Sequence, residues 1–315
     1  MTKTYLISGG AGFLGSHLSE RLLKEGQKVI CLDNFITGLK SNMAPFSANP
    51  NFTFINQNIC KTIDIVDATP KIDYVLNYAC PASPTDYRNH PIETLEACSI
   101  GTKNMLEIAK EHKARFFHTS TSEVYGDPKE HPQTESYWGH VNSYGERSCY
   151  DEGKRYAESL IYIYRKDFGV DTGIIRIFNT YGPRMRPLDG RVVSTFIRQA
   201  LEGEDITIFG RGEQTRSFCY VDDQIEAQMK MIHSEEEGPI NIGNPTEFSM
   251  IELAEKIKDI TKSQSRIVYR PLPKDDPTQR KPDISLAKKR LLWEPKVDLT
   301  EGLRKTISWF TGARY

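Results

Sequence analysis

The sequence contains no run of about 18 or more apolar residues, so no segment is long enough to cross a bilayer as a helix. It has almost no net charge. Lys plus Arg number 41 against 42 Asp plus Glu, giving −1 at pH 7, which removes any global field that would recruit nucleic acid or an anionic membrane. Anion binding is left to local basic groups. The six cysteines, Cys31, Cys60, Cys80, Cys98, Cys149 and Cys219, show no Cys-x-x-Cys spacing and accompany no His-x-x-x-His pair, so free thiols are expected and no metal site. There is no internal repeat and no low-complexity tract. A strand-like segment begins within the first few residues, leaving no room for a secretory signal and predicting a cytoplasmic protein. At 315 residues the chain can bury a large core, as one large domain or as a main domain with a smaller companion.

What the sequence does contain begins with a glycine-rich turn, Gly9-Gly10-Ala11-Gly12-Phe13-Leu14-Gly15. The β-branched and apolar run Lys3 to Ser8 precedes it, and His17 to Leu23 follows with helical periodicity. Strand, tight turn and helix in that order predict a dinucleotide cradle. Glycine lets bare backbone approach a pyrophosphate, whose charge rests on the amides and dipole of the new helix. The next apolar run, Lys28 to Leu32, ends in Asp33, eighteen residues past Gly15. A carboxylate there meets adenosine ribose hydroxyls and repels a ribose phosphate, so NAD is expected rather than NADP. A loop that only turned the chain would not need strand, helix, strand and acid in this sequence.

Phe52 to Ile55, Tyr74 to Ala79, Arg115 to Thr119 and Thr172 to Ile177 read as buried strands of a parallel sheet. Thr94 to Glu111 and Glu146 to Lys166 are the clearest crossover helices. The expected fold is α/β, a doubly wound parallel sheet of Rossmann type. Residues 1–178 should form the NAD-binding domain, with some later segments returning to it, and residues 179–315 mainly a smaller α/β substrate-binding region. Beyond Asn179, Pro183, Pro187, Gly190, Gly210, Gly212, Pro271, Pro273 and Pro277 punctuate loops between what should be shorter helices, as in a substrate lid. Ser234 to Gly238 reads as a solvated turn.

Ligands of such sheets bind beyond the carboxyl ends of the strands. There Thr121 offers a hydroxyl to a reacting alcohol and Glu123 a carboxylate for proton transfer, although a hydroxyl residue at a strand end also serves to cap the following helix. Tyr150 and Lys154, spaced i and i+4, share one helix face. Alone they describe an exposed aromatic and a solvated lysine. Behind a nucleotide turn they describe an acid/base pair, because Lys⁺ and a cationic nicotinamide both favour phenolate and should pull the phenol below its usual pKa of about 10.

Further segments narrow the reading: Gly9-x-x-Gly12-x-x-Gly15, Asp33-Asn34-Phe35-x-Thr37-Gly38, Pro81-Ala82-Ser83-Pro84, Thr119 to Pro128, Ser148 to Arg155, Arg176 to Met185, Asp189 to Ser194, Gln214 to Phe218 and Asp275 to Ile284. Nearly end to end, this set resembles the extended short-chain dehydrogenase/reductases and, within them, the UDP-glucuronate decarboxylases that form UDP-xylose. The glycine motif is shared by the whole superfamily, and the later ones are far more selective.

The resemblance implies that Tyr150 removes the proton of the sugar's carbon-4 hydroxyl while hydride passes to NAD⁺. The carboxylate then lies β to a carbonyl, so carbon dioxide can leave with its electrons delocalised as an enolate. Protonation at carbon 5 and return of the hydride give UDP-xylose with no net redox. By the same carry-over Thr121 bonds the reacting oxygen, Lys154 sets the tyrosine and holds the nicotinamide ribose, and Glu123 with Arg280 manages the carboxylate and the carbon-5 proton. NAD is expected along Gly9, Gly12, Phe13, Leu14, Gly15, Asp33, Asn34, Phe35, Thr37 and Gly38, and further along Asn58, Ile59, Ala79, Thr119 and Ile177. The UDP-sugar is expected at Pro81, Ala82, Ser122, Glu123, Asn179, Arg191, Val192, Arg216, Tyr220 and Arg280. Asn179, Val192 and Tyr220 are equally open to packing or capping roles.

Guanidinium groups suit carboxylates and phosphates because their donor fork matches two oxygens, so at least one of Arg191, Arg216 and Arg280 is expected on the UDP diphosphate. Arg280 follows Asp275-Asp276, which leaves open a surface ion pair worth about 0–1 kcal/mol. In the 4,6-dehydratases an Asp-Glu pair follows the threonine, whereas Ser122 stands at the aspartate position here. In the 4-epimerases the position of Glu123 usually carries a small hydroxyl residue. Both departures favour decarboxylation, and intact Thr121, Tyr150 and Lys154 speak against a non-catalytic NAD-binding regulator. Cys98, Cys80 and Asn142-Ser143-Tyr144-Gly145 depart from the family's usual asparagine, serine and proline-containing turn. Relatives pair through two long helices per subunit, which implies a homodimer joined by a four-helix bundle.

Overall fold

Strands buried on both faces need near-continuous apolar runs, and the chain supplies them at intervals long enough for a helix to return between them. The structure, a computed structural model, describes residues 1–63, 71–271 and 279–312. β1 (Thr4–Ser8) passes through the glycine turn into α1 (Phe13–Lys24), β2 (Lys28–Asp33), α2 (Lys40–Met43) and β3 (Phe52–Asn56). Then come β4 (Tyr74–Asn77), α3 (Pro84–Asn89) and α4 (Pro91–Glu96), with a π-helical segment, Ala97–Gly101, joining α4 to α5 (Thr102–His112). β5 (Arg115–Thr121), a 3₁₀ turn (Ser122–Tyr125), α6 (Ser148–Phe168) and β6 (Thr172–Ile177) follow. The later part holds β7 (Thr180–Tyr181), α7 (Val192–Glu202), β8 (Ile206–Phe209), β9 (Thr215–Ser217), β10 (Cys219–Tyr220), α8 (Val221–Ile232) and β11 (Ile240–Ile242). It ends with β12 (Glu247–Ser249), α9 (Met250–Thr261), β13 (Ile267–Arg270), α10 (Ser285–Leu291) and α11 (Leu299–Gly312).

The central sheet has seven strands in the order β11-β6-β5-β4-β1-β2-β3, and every pairing is parallel. The chain winds outward from β1 to β3 and then crosses back to start again at β4. This is the doubly wound α/β arrangement, and the reversal between β1 and β4 opens the crevice in which such sheets bind ligands. Every residue of β5 is buried, as a central parallel strand requires.

The expected helix from Thr94 begins earlier, at Pro91, because proline suits the first helical position. It is also interrupted: in the π segment the Thr102 hydroxyl donates to the Ala97 carbonyl, 3.2 Å away and five residues back. The helices beyond Asn179 are shorter than α6, which runs 21 residues, and α10 has only 7, but the others match α1 and α5. α7, α8, α9 and α11 run 11 to 14 residues, against 12 and 11 for α1 and α5. Glycine and proline there mark connections and leave the helices whole; Pro273 and Pro277 lie outside the described residues. Nor is the later part a loose lid. Val221 and Ile225 of α8 share one buried cluster with Leu18 and Leu22 of α1, and β11 bonds to β6 at the sheet edge. All six cysteines are free. Among the described residues no helix is long and apolar enough to cross a membrane.

Two glycines of the first turn are required by geometry. Gly9 sits at φ +72°, and a Cβ there would lie 2.8 Å from the Ala79 nitrogen. A Cβ on Gly15 would lie 2.3 Å from the Gly9 carbonyl oxygen. A Gly15→Ala substitution is therefore expected to lower stability by about 1–3 kcal/mol, read as a lower urea midpoint with an unchanged slope.

Candidate active site

A cleft of about 640 Å³ lies over the carboxyl ends of the strands. At one end are the turn glycines Gly9, Gly12 and Gly15 with Phe13 and Leu14. Gly12 caps α1 without a side-chain bond, and the first turn carries no acidic residue, so its amides and positive dipole end are available to an anion. Asp33, 7% exposed, accepts bonds from the Ala11 amide at 3.0 Å and the Phe35 amide at 2.8 Å. Burial raises its carboxyl above the usual range despite those bonds. Asn34, Thr37, Asn58, Ile59 and Ala79 line the same region.

Phe35 and Gly38 do not line the cleft. Phe35, at φ +58°, turns its ring onto Phe54 with centroids 5.0 Å apart. Gly38 lies so close to the Asp33 carboxylate that a Cβ would meet Oδ1 at 2.7 Å and Oδ2 at 2.9 Å. The Phe35 amide holds the acid in place.

At the centre of the cleft are Thr119, Thr121, Tyr150, Lys154 and Ile177. Tyr150 and Lys154 are 6% and 4% exposed, so neither is a surface residue. The Tyr150 ring stacks on Tyr87, with centroids 5.2 Å apart and planes 9° from parallel. Lys154 Nζ donates to the Thr119 carbonyl at 2.8 Å and stands 5.9 Å from the Tyr150 ring centroid. The Thr121 hydroxyl accepts from the Glu123 amide at 3.2 Å, capping the 3₁₀ turn, and stands near enough to Tyr150 to favour its phenolate. It therefore fills the capping role that its position suggested.

The protein's own groups do not bring the Tyr150 phenol below its ordinary value. Burial pushes it well above 10 and Cys80 adds to the rise, while the Thr121 hydroxyl and Arg191 pull it back without prevailing. Desolvating a phenolate costs more than these neighbours return.

The carboxylate end is built on Arg280. This residue is 2% exposed, which rules out a surface ion pair; Asp275 and Asp276 lie outside the described residues. Its Nη1 donates to Ser122 Oγ at 3.0 Å and to Glu123 Oε1 at 2.9 Å. Its Nη2 donates to the Gly126 carbonyl at 2.9 Å and reaches Glu123 Oε2 at 3.4 Å. A second guanidinium, Arg147, also donates to Glu123 Oε2. Burial opposes ionisation of Glu123, but Arg280 and Arg147 outweigh it and hold the carboxyl at about 2. Asp151 stands 3.8 Å from Arg147 Nε, and its Oδ1 is buried without a hydrogen-bond partner. Burial and the Glu123 charge push Asp151 up to about 7.

Neither Arg147 nor Asp151 was singled out from the sequence. The available signal was helical spacing, since Arg147 lies one turn before Tyr150 at the start of α6.

Pro81, Ala82, Asn179, Val192, Arg191 and Arg216 complete the wall. Arg191 Nη2 donates to the Ala82 carbonyl at 3.1 Å, and its amide is held by Asp189 Oδ1 at 2.9 Å. Arg216 pairs through its backbone with Arg280. Tyr220 does not reach the cleft. It is 3% exposed and packs on Tyr181 with centroids 5.6 Å apart, because the strand pairing of β10 with β7 turns it into the core. The Cys80 and Cys98 sulfurs lie 3.5 Å apart.

The profile of the family described as GDP-mannose 4,6 dehydratase matches residues 6–306. The chain belongs to that family, within the extended short-chain dehydrogenase/reductases. It is 52% identical over 299 residues to UDP-glucuronic acid decarboxylase 6 of Arabidopsis thaliana, spanning 95% of this chain and 86% of that protein. It is 49% identical over 309 residues to UDP-glucuronic acid decarboxylase 1 of Danio rerio, spanning 98% and 73%. Among solved structures, UDP-glucuronic acid 4-epimerase of Bacillus cereus, in complex with UDP-glucuronic acid and NAD, superimposes with a TM-score of 0.88 at 30% identity, covering 98% of this chain and 99% of that one.

The Asp151 site generates a pH prediction. Its folded carboxyl titrates near 7 against 3.8 in the unfolded chain, so between those values the folded state keeps a proton that the unfolded state has released. Stability should fall as pH rises through that window and level off above it. Asp151→Asn should flatten the fall and leave the protein more stable than wild type at pH 8, measured as urea midpoints across the range.

Proposed function

We propose that the protein is an NAD-dependent UDP-glucuronate decarboxylase that forms UDP-xylose through a UDP-4-keto-hexuronic acid and returns NAD to its starting state. The carboxylate-binding fork of Arg280, buried with Glu123 beside Thr121 and Tyr150, carries this reading. Identity near 50% to decarboxylases across nearly the whole chain supports it.

The cradle fits NAD: Gly9 and Gly15 leave no room for side chains, the first amides of α1 suit a pyrophosphate, and Asp33 suits ribose hydroxyls. NAD, when bound, accepts a hydride from carbon 4 of the sugar and later gives it back. Tyr150 takes the proton of the carbon-4 hydroxyl at its phenol oxygen, and Thr121 orients that hydroxyl. Lys154 supplies positive charge beside the phenolate. With carbon 4 a carbonyl, the sugar's carboxylate is β to it and can depart as carbon dioxide, leaving an enolate. Arg280 holds the carboxylate before it leaves, and Glu123 manages the proton at carbon 5. Ser122 is a poor acid for expelling a carbon-6 hydroxyl, which disfavours 4,6-dehydration. Arg191 and Arg216 are left for the UDP diphosphate, since Arg280 is committed to Glu123.

Residues 1–178, with β11 added to their sheet, hold NAD, and residues 179–315 mainly hold the nucleotide sugar. The protein works in the cytoplasm as a homodimer, with neither nucleic acid nor membrane as partner. Its dimer face is the surface of α4, the π segment and α6. Ile92, Leu95, Ile100, Tyr156, Tyr162 and Ile163 are 62%, 42%, 47%, 53%, 62% and 43% exposed there, an apolar patch of the kind that marks an interface.

Purified protein with UDP-glucuronate and catalytic NAD⁺ should yield UDP-xylose by NMR. UDP-galacturonate would make it a 4-epimerase, and unchanged substrate would refute the assignment. Tyr150→Phe should lower turnover about 10²–10⁴-fold while NAD binding, followed by calorimetry, is kept. Ile163→Asp should halve the mass seen by light scattering.

A further inference from the structure

Arg280 has one strong donor fork and, under the proposed reaction, two carboxylates to serve. One belongs to Glu123, which already takes bonds from both Arg280 terminal nitrogens. The other would be the sugar acid. If both depended on Arg280 alone, two anions would share one cation in a buried site, where like charges oppose each other strongly. The structure contains a remedy. Arg147 donates to Glu123 Oε2, the oxygen that Arg280 reaches only at 3.4 Å, while Arg280 makes its shorter 2.9 Å bond to Oε1.

We infer that Arg147 is a positioning residue for decarboxylation: it clamps Glu123 through Oε2, so that Arg280 can turn its fork to the substrate carboxylate without releasing Glu123. Arg147 is suited to this task. Its side chain is 12% exposed, its stem rises from the N-cap of the helix that carries Tyr150, and its guanidinium lies 5.9 Å from the centroid of the Tyr87 ring that stacks on Tyr150. Asp151, one turn on, faces Arg147 Nε at 3.8 Å and keeps the guanidinium from swinging away. The charged and titratable groups around Glu123 are Arg147, Tyr150 and Asp151 from α6, Tyr87 from α3, and Arg280 from the segment before α10. Two cations thus stand against Glu123 and the incoming carboxylate, with Asp151 adding a further negative charge only above about pH 7.

This inference rests on the proposed activity and is tested separately from it. Wild type that makes no product from UDP-glucuronate refutes the activity. With wild type active, Arg147→Met should raise KM for UDP-glucuronate roughly tenfold or more and should bring an acid limb into the kcat profile. Glu123, having lost one of the two cations that hold it at about 2, then binds a proton at higher pH, so turnover on the acid side should begin to fall at a higher pH than in wild type, roughly tenfold per pH unit below the new pKa. Arg147→Lys should restore most of both parameters. Inhibition by UDP, which carries no sugar carboxylate, should be unchanged. The limb should persist in Arg147→Met/Asp151→Asn, which assigns it to Glu123. An equal loss at every pH with unchanged KM, or a parallel weakening of UDP, would reduce Arg147 to packing and overturn the inference.

Discussion

A charged guanidinium with 2% exposure is the constraint around which this site is arranged. Taking Arg280 out of water is costly, and the cost is tolerable only because nearly every donor finds an acceptor: Ser122, both oxygens of Glu123 and the Gly126 carbonyl. Glu123 lies two residues past the end of β5, and Arg280 lies 157 positions further on. The pair therefore does more than neutralise two charges. It ties the later part of the chain to the carboxyl end of the central sheet, and a buried pair keeps this register because either partner alone would be a stranded ion. Nε of Arg280 is the one donor of the group left buried without an acceptor.

Around that pair, burial and charge pull in opposite directions, and their balance differs at each group. Glu123 faces two arginines, and charge wins. Asp151 sees the same Arg147 at longer range and a like charge on Glu123, and burial wins. Tyr150 has a hydroxyl and a distant arginine to help it, and burial wins again. A phenol raised in this way is a weak base by itself. Under the proposed reaction it becomes a base only when positive charge arrives with NAD⁺, which would tie proton removal to occupancy of the nucleotide cradle. Lys154 supports that coupling from its fixed bond to Thr119, because a lysine tethered to β5 cannot drift towards solvent.

The sequence was most legible where physical requirements act over short range. Gly9, Gly15 and Asp33 are dictated by backbone clearance and by the strand–turn–helix order, and the central strands follow from continuous apolar runs, whereas β3, expected to be buried, is an edge strand with no buried residue. Tyr150 and Lys154 were readable from helical spacing. Legibility failed where tertiary context decides. Phe35 and Gly38 belong to a motif that supports Asp33, and motif membership alone does not separate a residue that faces the cleft from one that braces it. Tyr220 lies between Cys219 and Val221, both buried, and the two-residue pairing of β10 with β7 turns it inward with them. Arg147 stands in an unremarkable stretch, and only the folded arrangement brings it to Glu123, 24 positions away.

The later part of the chain shows why a site of this kind cannot be assembled from the nucleotide-binding half alone. A parallel sheet exposes a crevice where its winding reverses, and that crevice can cradle a dinucleotide, but it has few side chains that reach across to a second ligand. Here the far wall comes from Arg191 at the start of α7, Arg216 on β9 and Arg280 before α10, which are separate excursions of the chain. Each is anchored back to the first half or to its neighbour: Arg191 to the Ala82 carbonyl, Arg280 to Glu123, and Arg216 to Arg280 through the backbone. The cations are thus positioned by the groups they face. Loss of one anchor should misplace its neighbours as well, which makes additive behaviour among substitutions on this wall a poor expectation.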